Sequence, residues 1–267
     1  MAKGKSKKVP KKDKAGKKGD KHTFAKKEWF TVLAPSAVKS PKAVGWTCCK
    51  KPQGTQIVAD FLKGRVAEIA YADINEESAP NQINPIFKHI HAIVDEVQGG
   101  NCFTSFYKYE LTRDKIFGLI RKRQTLVEVN TEVKTLDGQT YRIFLVIVST
   151  RVPRQVKENS YLKQSKVKQI RKKMIADLIK IASERKADDF VYSIITESLK
   201  TQLQKTVVKF HPGCKVEIAK IKTVKRGNVD IKALVEETKA VAAPVEEEAP
   251  KTVENPEAQN PLSKQDE

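Results

Sequence analysis

The residues of this chain with the clearest chemical potential are cations grouped without acids. Between Lys163 and Lys173 there are six cations and no acid. Such like charges on one helix face repel each other, and a phosphate polymer relieves that repulsion. Guanidinium groups grip phosphate through two hydrogen bonds, whereas lysines act as point charges. This spacing therefore predicts phosphate binding, and the alternative is a helix kept soluble by lysine.

The chain as a whole also has an excess of cations, distributed unevenly along the sequence. It has 51 Lys and Arg against 32 Asp and Glu, a net charge of +19. Residues 1–27 hold twelve lysines and two acids, while residues 236–267 hold nine acids and three lysines. The segment between them is also cationic and carries the apolar residues. A cationic tail on a cationic body is typical of proteins that bind nucleic acid.

Signatures of catalysis and of metal binding are absent from the sequence. There is no glycine-rich phosphate loop, no G-x-S-x-G elbow, and no Cys-x-x-Cys pair among the four cysteines. His89 and His91 share one face of a predicted strand, without a matching acid–histidine motif. We therefore expect no enzyme, cofactor or metal, and reduced cysteines. A third possible function is an enzyme acting on nucleic acid, but the sequence contains no nucleophile or metal-ligand cluster that such an enzyme would use.

The elements that must position the cations fall into a strand-rich part followed by a helix-rich part. We predict strands over residues 55–62 and 65–74, a hairpin around Gly99–Gly100, and another around Asp137–Gly138. Short sequential strands joined by turns favour an antiparallel sheet or barrel. The predicted fold is thus α+β, with a largely antiparallel β-barrel-like core and flanking amphipathic helices.

Three helices are predicted from capping residues and apolar spacing. Thr112 suits the start of a helix running to Thr125, with Ile116, Leu119 and Ile120 inward and three cations in its last turn. From residue 160 the apolar residues recur at helical spacing. One further helix is expected after Asp188 or Asp189, ending before His211.

The domain boundaries follow composition. Residues 1–25 are predicted to be a disordered basic arm, residues 26–239 a globular body that is β-rich over 26–155 and helix-rich over 156–239, and residues 240–267 a disordered acidic tail. We also predict a polar loop over residues 75–85 and a short final helix over residues 230–241, before the acidic tail. Trp29, beside the arm, either packs on the core or stacks on bases. No apolar run reaches the length of a membrane span and no signal peptide is evident.

Several phrases of the body resemble one protein family in order and spacing: KKEWFTVLAP, QGTQIVADFLKGRVAEIAYADI, DEVQGGNCFTSFYKYELTRDKI, TEVKTLDGQTYRIF and SYLKQSKVKQIRKKM. The family is the eukaryotic and archaeal small-subunit ribosomal protein called "S one e" or "S three a". The resemblance covers about residues 26–239, and residues 75–92 and 183–230 match less well.

The resemblance implies a structural constituent of the small (40S) subunit, with a β-barrel-like core and no catalytic residues. It implies a position near the messenger RNA exit channel, with ribosomal RNA and neighbouring ribosomal proteins as partners, and with messenger RNA and initiation factors close by. No membrane contact and no homo-oligomer are expected. The protein would reside in cytoplasmic ribosomes after nucleolar passage during assembly. The alternative function is a nuclear chromatin or RNA-processing factor with a lysine-rich arm.

The candidate RNA-binding residues come from the arm, the two basic helices and the resemblance together. They are Lys7, Lys8, Lys11, Lys12, Lys17, Lys18, Arg113, Lys115, Arg121, Lys122, Arg123, Lys168, Arg171, Lys172 and Lys173.

Overall fold

The computed structural model describes residues 27–39, 43–52, 54–74 and 85–227. Within them the strands are β1 (Lys27–Leu33), β2 (Ala43–Lys50), β3 (Val66–Ala70), β4 (Lys88–Gln98), β5 (Asn101–Leu111), β6 (Leu126–Lys134), β7 (Thr140–Ser149) and β8 (Cys214–Lys225). The α-helices are α1 (Val58–Leu62), α2 (Tyr71–Ile74), α3 (Arg113–Leu119), α4 (Gln164–Ser183), α5 (Ala187–Ile195) and α6 (Ser198–Val208). The lysine arm, nearly all of the predicted 75–85 loop, the 230–241 helix and the acidic tail lie outside the described residues.

Both predicted hairpins are confirmed. β4 and β5 pair antiparallel around Gly99 and Gly100, whose φ values of 56° and 89° lie in the left-handed region that glycine adopts without strain. β6 and β7 pair antiparallel in unbroken register across the Asp137–Gly138 turn. In both hairpins local turn chemistry and the strand pattern point to the same structure.

The last strand, β8, contains an irregularity that the sequence pattern also shows. Ile218 pairs with Leu145 and Lys220 pairs with Phe144, so Ala219 has no counterpart on β7. As a result Ile218 and Ala219 are both buried. This bulge is the reason that the alternation of apolar residues shifts phase before Ile221.

Strand β5 joins two arms of one sheet. Along one side it pairs with β4. On the other side its start pairs in parallel with β1, through Val32 and Cys102, and its end pairs antiparallel with β8, through Tyr109 and Ile221. One arm is therefore β2-β1-β5-β4-β3, and the other is β5-β8-β7-β6.

The expectation of a barrel is corrected by this topology. Among the described residues, β2, β3 and β6 each pair with a single strand, so the sheet is open. The α+β class and the mainly antiparallel pairing agree with the prediction. A barrel needs its first and last strands to meet, which local patterns do not specify.

The apolar stripe of α4 covers the sheet. Val167, Ile170, Met174 and Leu178 are all buried, and α4 packs on β6. These side chains share the main core with Phe190 and with inward residues of β5 to β8. A second, smaller core lies under β1, β3 and β4 and contains Val32, Cys49, Leu62, Val94 and Cys102.

Some predicted elements differ from the structure. The strand predicted over residues 65–74 ends at Ala70, and residues 71–74 form the short helix α2. The segment 55–62 forms the short helix α1 and not a strand, because Val58 and Leu62, four residues apart, both reach the small core. The single helix expected after Asp188 is two helices, α5 and α6. Glu197 separates them with φ at 63°, a left-handed conformation that ends the first helix.

Two further expectations concern exposure. Trp29 is 57% exposed, and Phe30 and Val32 instead anchor β1, so the prediction that Trp29 packs on the core is wrong. Within the described residues, no helix has the length and apolarity that a membrane span requires.

Candidate nucleic-acid interface

The outward face of α4 presents the cations predicted from the sequence. Lys168, Arg171, Lys172 and Lys173 are all exposed, on the side away from the buried stripe. Arg171 Nε donates a hydrogen bond of 3.2 Å to the Glu128 carbonyl on β6. Lys173 Nζ lies 2.9 Å from Asp177 Oδ1. The protein therefore already holds two of the four cations in place.

Lys168 and Lys172 form the part of this face that is open to a ligand. They are four residues apart, so their side chains lie next to each other on the helix surface. Neither makes an ion pair with any residue that the structure describes. Two adjacent ammonium groups without a counter-ion attract phosphate at the smallest desolvation cost.

The segment Arg121–Arg123 lies outside the helix that was predicted to contain it. Helix α3 ends at Leu119, because Ile120 is extended with φ at −85° and ψ at 111°. Arg123 has φ at 64°, and its carbonyl accepts a hydrogen bond of 3.0 Å from the Ser160 amide. Its guanidinium forms an ion pair with Glu158.

These contacts place Arg121–Arg123 beside the chain that leads into α4. The Leu162 amide donates a hydrogen bond of 2.9 Å to Thr125 Oγ1, and the backbones of Gln124 and Ser160 form an isolated parallel β-bridge. Two groups of cations, whose nearest members Arg123 and Lys168 are 45 residues apart in the sequence, thus lie on either side of the junction between Thr125 and α4. The sequence offered no signal for this proximity, because it depends on a tertiary bridge. We call Arg121, Lys122, Lys168 and Lys172 the cationic surface; Arg123, between the two groups, is already paired with Glu158.

Helix α3 adds cations that lie over aromatic rings. Arg113 Cζ is 5.8 Å from the centre of the Phe117 ring, and Lys115 Nζ is 4.9 Å from that of Phe87. Phe117 is 62% exposed, and Ile120, expected to point inward, is 50% exposed. Only Ile116 of the predicted stripe packs against the main core. Exposed aromatics beside cations are typical of surfaces that contact unstacked bases.

The cations of β5 and β8 are a contrasting set that is already neutralised. Glu110 lies 2.7 Å from Lys108 Nζ and 3.0 Å from Lys220 Nζ, and it also contacts His91. Burial acts to raise the pKa of the Glu110 carboxyl, but the hydrogen bonds from Lys108, Lys220 and His91 prevail and bring that pKa to about 2. These lysines therefore serve the sheet and not a ligand.

The same network bears on metal binding. Glu68, His91 and Glu110 offer ligand atoms within 4.8 Å of one another. However, both lysines compete with any cation for Glu110, so the arrangement is a hydrogen-bonded charge network.

The four cysteines are free thiols, and burial raises the pKa of Cys102 and Cys214.

Comparison with known proteins identifies one family. The sequence profile described as "Ribosomal S3Ae family" matches residues 15–227. A Babesia bovis protein named "Small ribosomal subunit protein eS1" is 37% identical over an alignment of 268 positions, which covers 99% of this chain and 98% of that protein.

Two other relatives bear the same name. The Caenorhabditis elegans protein is 36% identical over 223 residues, covering 82% of this chain and 84% of that protein. The Theileria annulata protein is 37% identical over 236 residues, covering 88% of each. A profile match over most of the chain, with such identities at nearly full length, shows that the chain belongs to the Ribosomal S3Ae family.

Proposed function

We propose that this protein is a structural constituent of the small ribosomal subunit that binds small-subunit ribosomal RNA through phosphate and shape contacts. The family and the names of its relatives support the subunit. The observation that carries the RNA contact is the cationic surface, where Lys168 and Lys172 have no counter-ion among the described residues. The role is structural and not catalytic.

The mode of binding follows from the chemistry of that surface. Lysine ammonium groups and the Arg121–Arg123 segment attract phosphate oxygens, which carry no base identity. The sequence contains no zinc finger, basic zipper or RNA-recognition consensus that would read base edges. Recognition therefore depends on the spacing of phosphates in folded RNA. Arg113, Lys115 and the exposed Phe117 ring form a second contact, to unstacked nucleotides.

The tails extend this proposal. Residues 1–25, including Lys7, Lys8, Lys11, Lys12, Lys17 and Lys18, are proposed to be an RNA-binding arm. Residues 240–267 form an acidic extension to a body spanning residues 26–239. The proposed neighbours are other small-subunit proteins, with messenger RNA and initiation factors at the nearby exit channel. The protein acts as one copy in cytoplasmic ribosomes after nucleolar assembly.

Sedimentation of a tagged copy through sucrose gradients tests the proposal. Lysate is run in magnesium, where subunits associate, and in EDTA, where they separate. The tagged protein is expected with whole ribosomes and small subunits in the first case and with small subunits in the second. Migration near the top of both gradients would contradict the proposed function and favour a nuclear chromatin or RNA-processing factor.

A further inference from the structure

The two edge strands of one arm of the sheet, β2 and β3, face each other across a groove. Followed through β1, β5 and β4, their directions are antiparallel, yet they do not pair with each other. Both strands line a cavity of about 280 Å³, whose apolar lining includes Val32, Val44, Trp46, Val66 and Val94. We call this cavity, between residues 44–47 and 65–69, the β2–β3 groove.

Arg65 closes one end of the groove and holds its walls in place. Its Nη1 atom donates to Thr47 Oγ1 at 3.1 Å and to the Cys48 carbonyl at 3.0 Å. Its Nε atom donates to the Phe61 carbonyl at 3.1 Å, which ties α1 to the same corner. The edges are thus fixed at one end, and beyond it they pair with no other strand of the described residues, so the groove is preformed.

The rim of the groove exposes large apolar side chains. Trp46 is 77% exposed and Val66 is 44% exposed, and both line the cavity. Phe61, at the corner that Arg65 ties down, is 48% exposed. A preformed cleft with an aromatic rim and two unpaired strand edges has the features of a site for an added strand.

The charge of the groove distinguishes it from the cationic surface. Its lining contains one cation, Arg65, and one acid, Glu68. Arg65 is engaged by Thr47 and Cys48, and Glu68 lies 3.2 Å from His89 Nδ1. In a chain of net charge +19, this electrically balanced, apolar site offers no free cation to phosphate. Its complement is a polypeptide with little net charge.

We propose that the β2–β3 groove binds an extended, apolar segment of another small-subunit protein, which lies as an added strand between β2 and β3. This proposal rests on the proposed function. Backbone hydrogen bonds to the strand edges would provide affinity, and Trp46 and Val66 would select apolar side chains. The chain's own terminal segments are less suitable, because residues 1–27 have a net charge of +10 and residues 236–267 a net charge of −6.

Photo-crosslinking within assembled subunits tests this site. The full-length tagged protein carries p-benzoylphenylalanine in place of Trp46, or in place of Val66 on the opposite wall. Leu136, which is 66% exposed at the β6–β7 turn, is the matched control position. In purified small subunits we expect crosslinks from both groove positions to one apolar peptide of another protein, identified by mass spectrometry. Their yield should exceed the control at least tenfold.

The outcomes separate this proposal from the proposed function. Crosslinks to RNA, to a second copy of this chain, to the chain's own termini, or at the control level would each overturn the groove assignment. The unsubstituted tagged protein, run on the same gradient, reports subunit incorporation independently. The probes at Trp46 and Val66 lie on opposite walls of the groove and are introduced in separate variants. If one variant misfolds, the other still tests whether a peptide binds in the groove. Adding Val66→Lys to the Trp46 probe should reduce the peptide crosslink at least fivefold without changing sedimentation.

Discussion

The side-chain ammonium of Lys88 lies 3.0 Å from the carboxylate of Glu197, at the break between α5 and α6. It also donates a hydrogen bond of 2.7 Å to the Ile195 carbonyl. Burial lowers the pKa of Lys88, and the charge of Glu197 opposes that shift. Lys200 contacts the same carboxylate and also Glu217 on β8. One buried charge network therefore links β4, the helix break and β8.

Replacing Lys88 with Met should lower the free energy of unfolding by about 2 kcal/mol, because the Ile195 carbonyl loses its donor and the partly buried Glu197 carboxylate keeps only Lys200. Urea denaturation measures the change. Lys39→Met is the matched control, since Lys39 and Asp189 form an ion pair with both side chains about half exposed. The control should lose less than about 1 kcal/mol. Equal losses in the two variants would show that the Lys88 network does not hold the helix break.

The Glu110 network predicts a pH dependence of stability. The pKa of Glu110 is about 2 in the folded protein, below that of an ordinary glutamate. A depressed carboxyl pKa stabilises the fold above the unfolded pKa, and this contribution disappears as pH falls from about 4.5 to about 2. The unfolding free energy of the wild type should exceed that of Glu110→Gln by up to about 3 kcal/mol at pH 7, and the difference should shrink below pH 4.5.

Urea titrations at several pH values measure this difference. Glu132→Gln serves as the control, because Glu132 pairs with Arg142 on an exposed part of the sheet. Its effect should be small at every pH. A difference between wild type and Glu110→Gln that stays constant down to pH 2.5 would contradict the assignment.

The cationic surface predicts a salt-dependent loss of RNA affinity. Changing Lys168 and Lys172 to Gln should weaken binding to small-subunit ribosomal RNA. The slope of log affinity against log salt concentration should become shallower by about 1.6, for two lost phosphate contacts. Filter binding at several KCl concentrations measures both effects.

A matched pair of exposed lysines, Lys205 on α6 and Lys209 directly after its end, provides the control for charge alone. Lys205→Gln with Lys209→Gln removes the same charge from another exposed region. This variant should retain the wild-type slope. If both double variants lost affinity and slope equally, binding would depend on net charge and not on the α4 face.

A close approach at Gly213 predicts a steric effect on stability. A Cβ atom there would lie 2.2 Å from the backbone oxygen of Thr150, whose amide donates a hydrogen bond of 2.7 Å to the Gly213 carbonyl. Gly213→Ala should destabilise the protein by about 2 kcal/mol, because backbone must move. Gly118→Ala is the control. Gly118 has open space around it within a helix, so Ala there should be neutral or stabilising by up to about 1 kcal/mol. Thermal melts of both variants distinguish the two cases.

Elements that depend on near neighbours could be predicted from the sequence. The β4–β5 and β6–β7 hairpins follow from turn residues and apolar alternation, and α4 follows from apolar residues at steps of three and four. The break at Glu197 could not be predicted in this way. At this break the Ile195 carbonyl accepts a hydrogen bond from Lys88 of β4, which is more than one hundred residues distant in the sequence.

The candidate RNA-binding site likewise has features that follow from local sequence and features that depend on tertiary contacts. The sequence by itself determined the charge, the basic face of α4 and the family phrases, because residue type and helical spacing are local properties. Only the tertiary structure decided which of these cations have partners within the protein. Lys173 is paired with Asp177, Arg171 is bonded to β6, and Arg121–Arg123 are brought to the start of α4 through Ser160. It also decided that β2 and β3 approach without pairing, because strand closure depends on contacts between distant segments and on solvent exclusion.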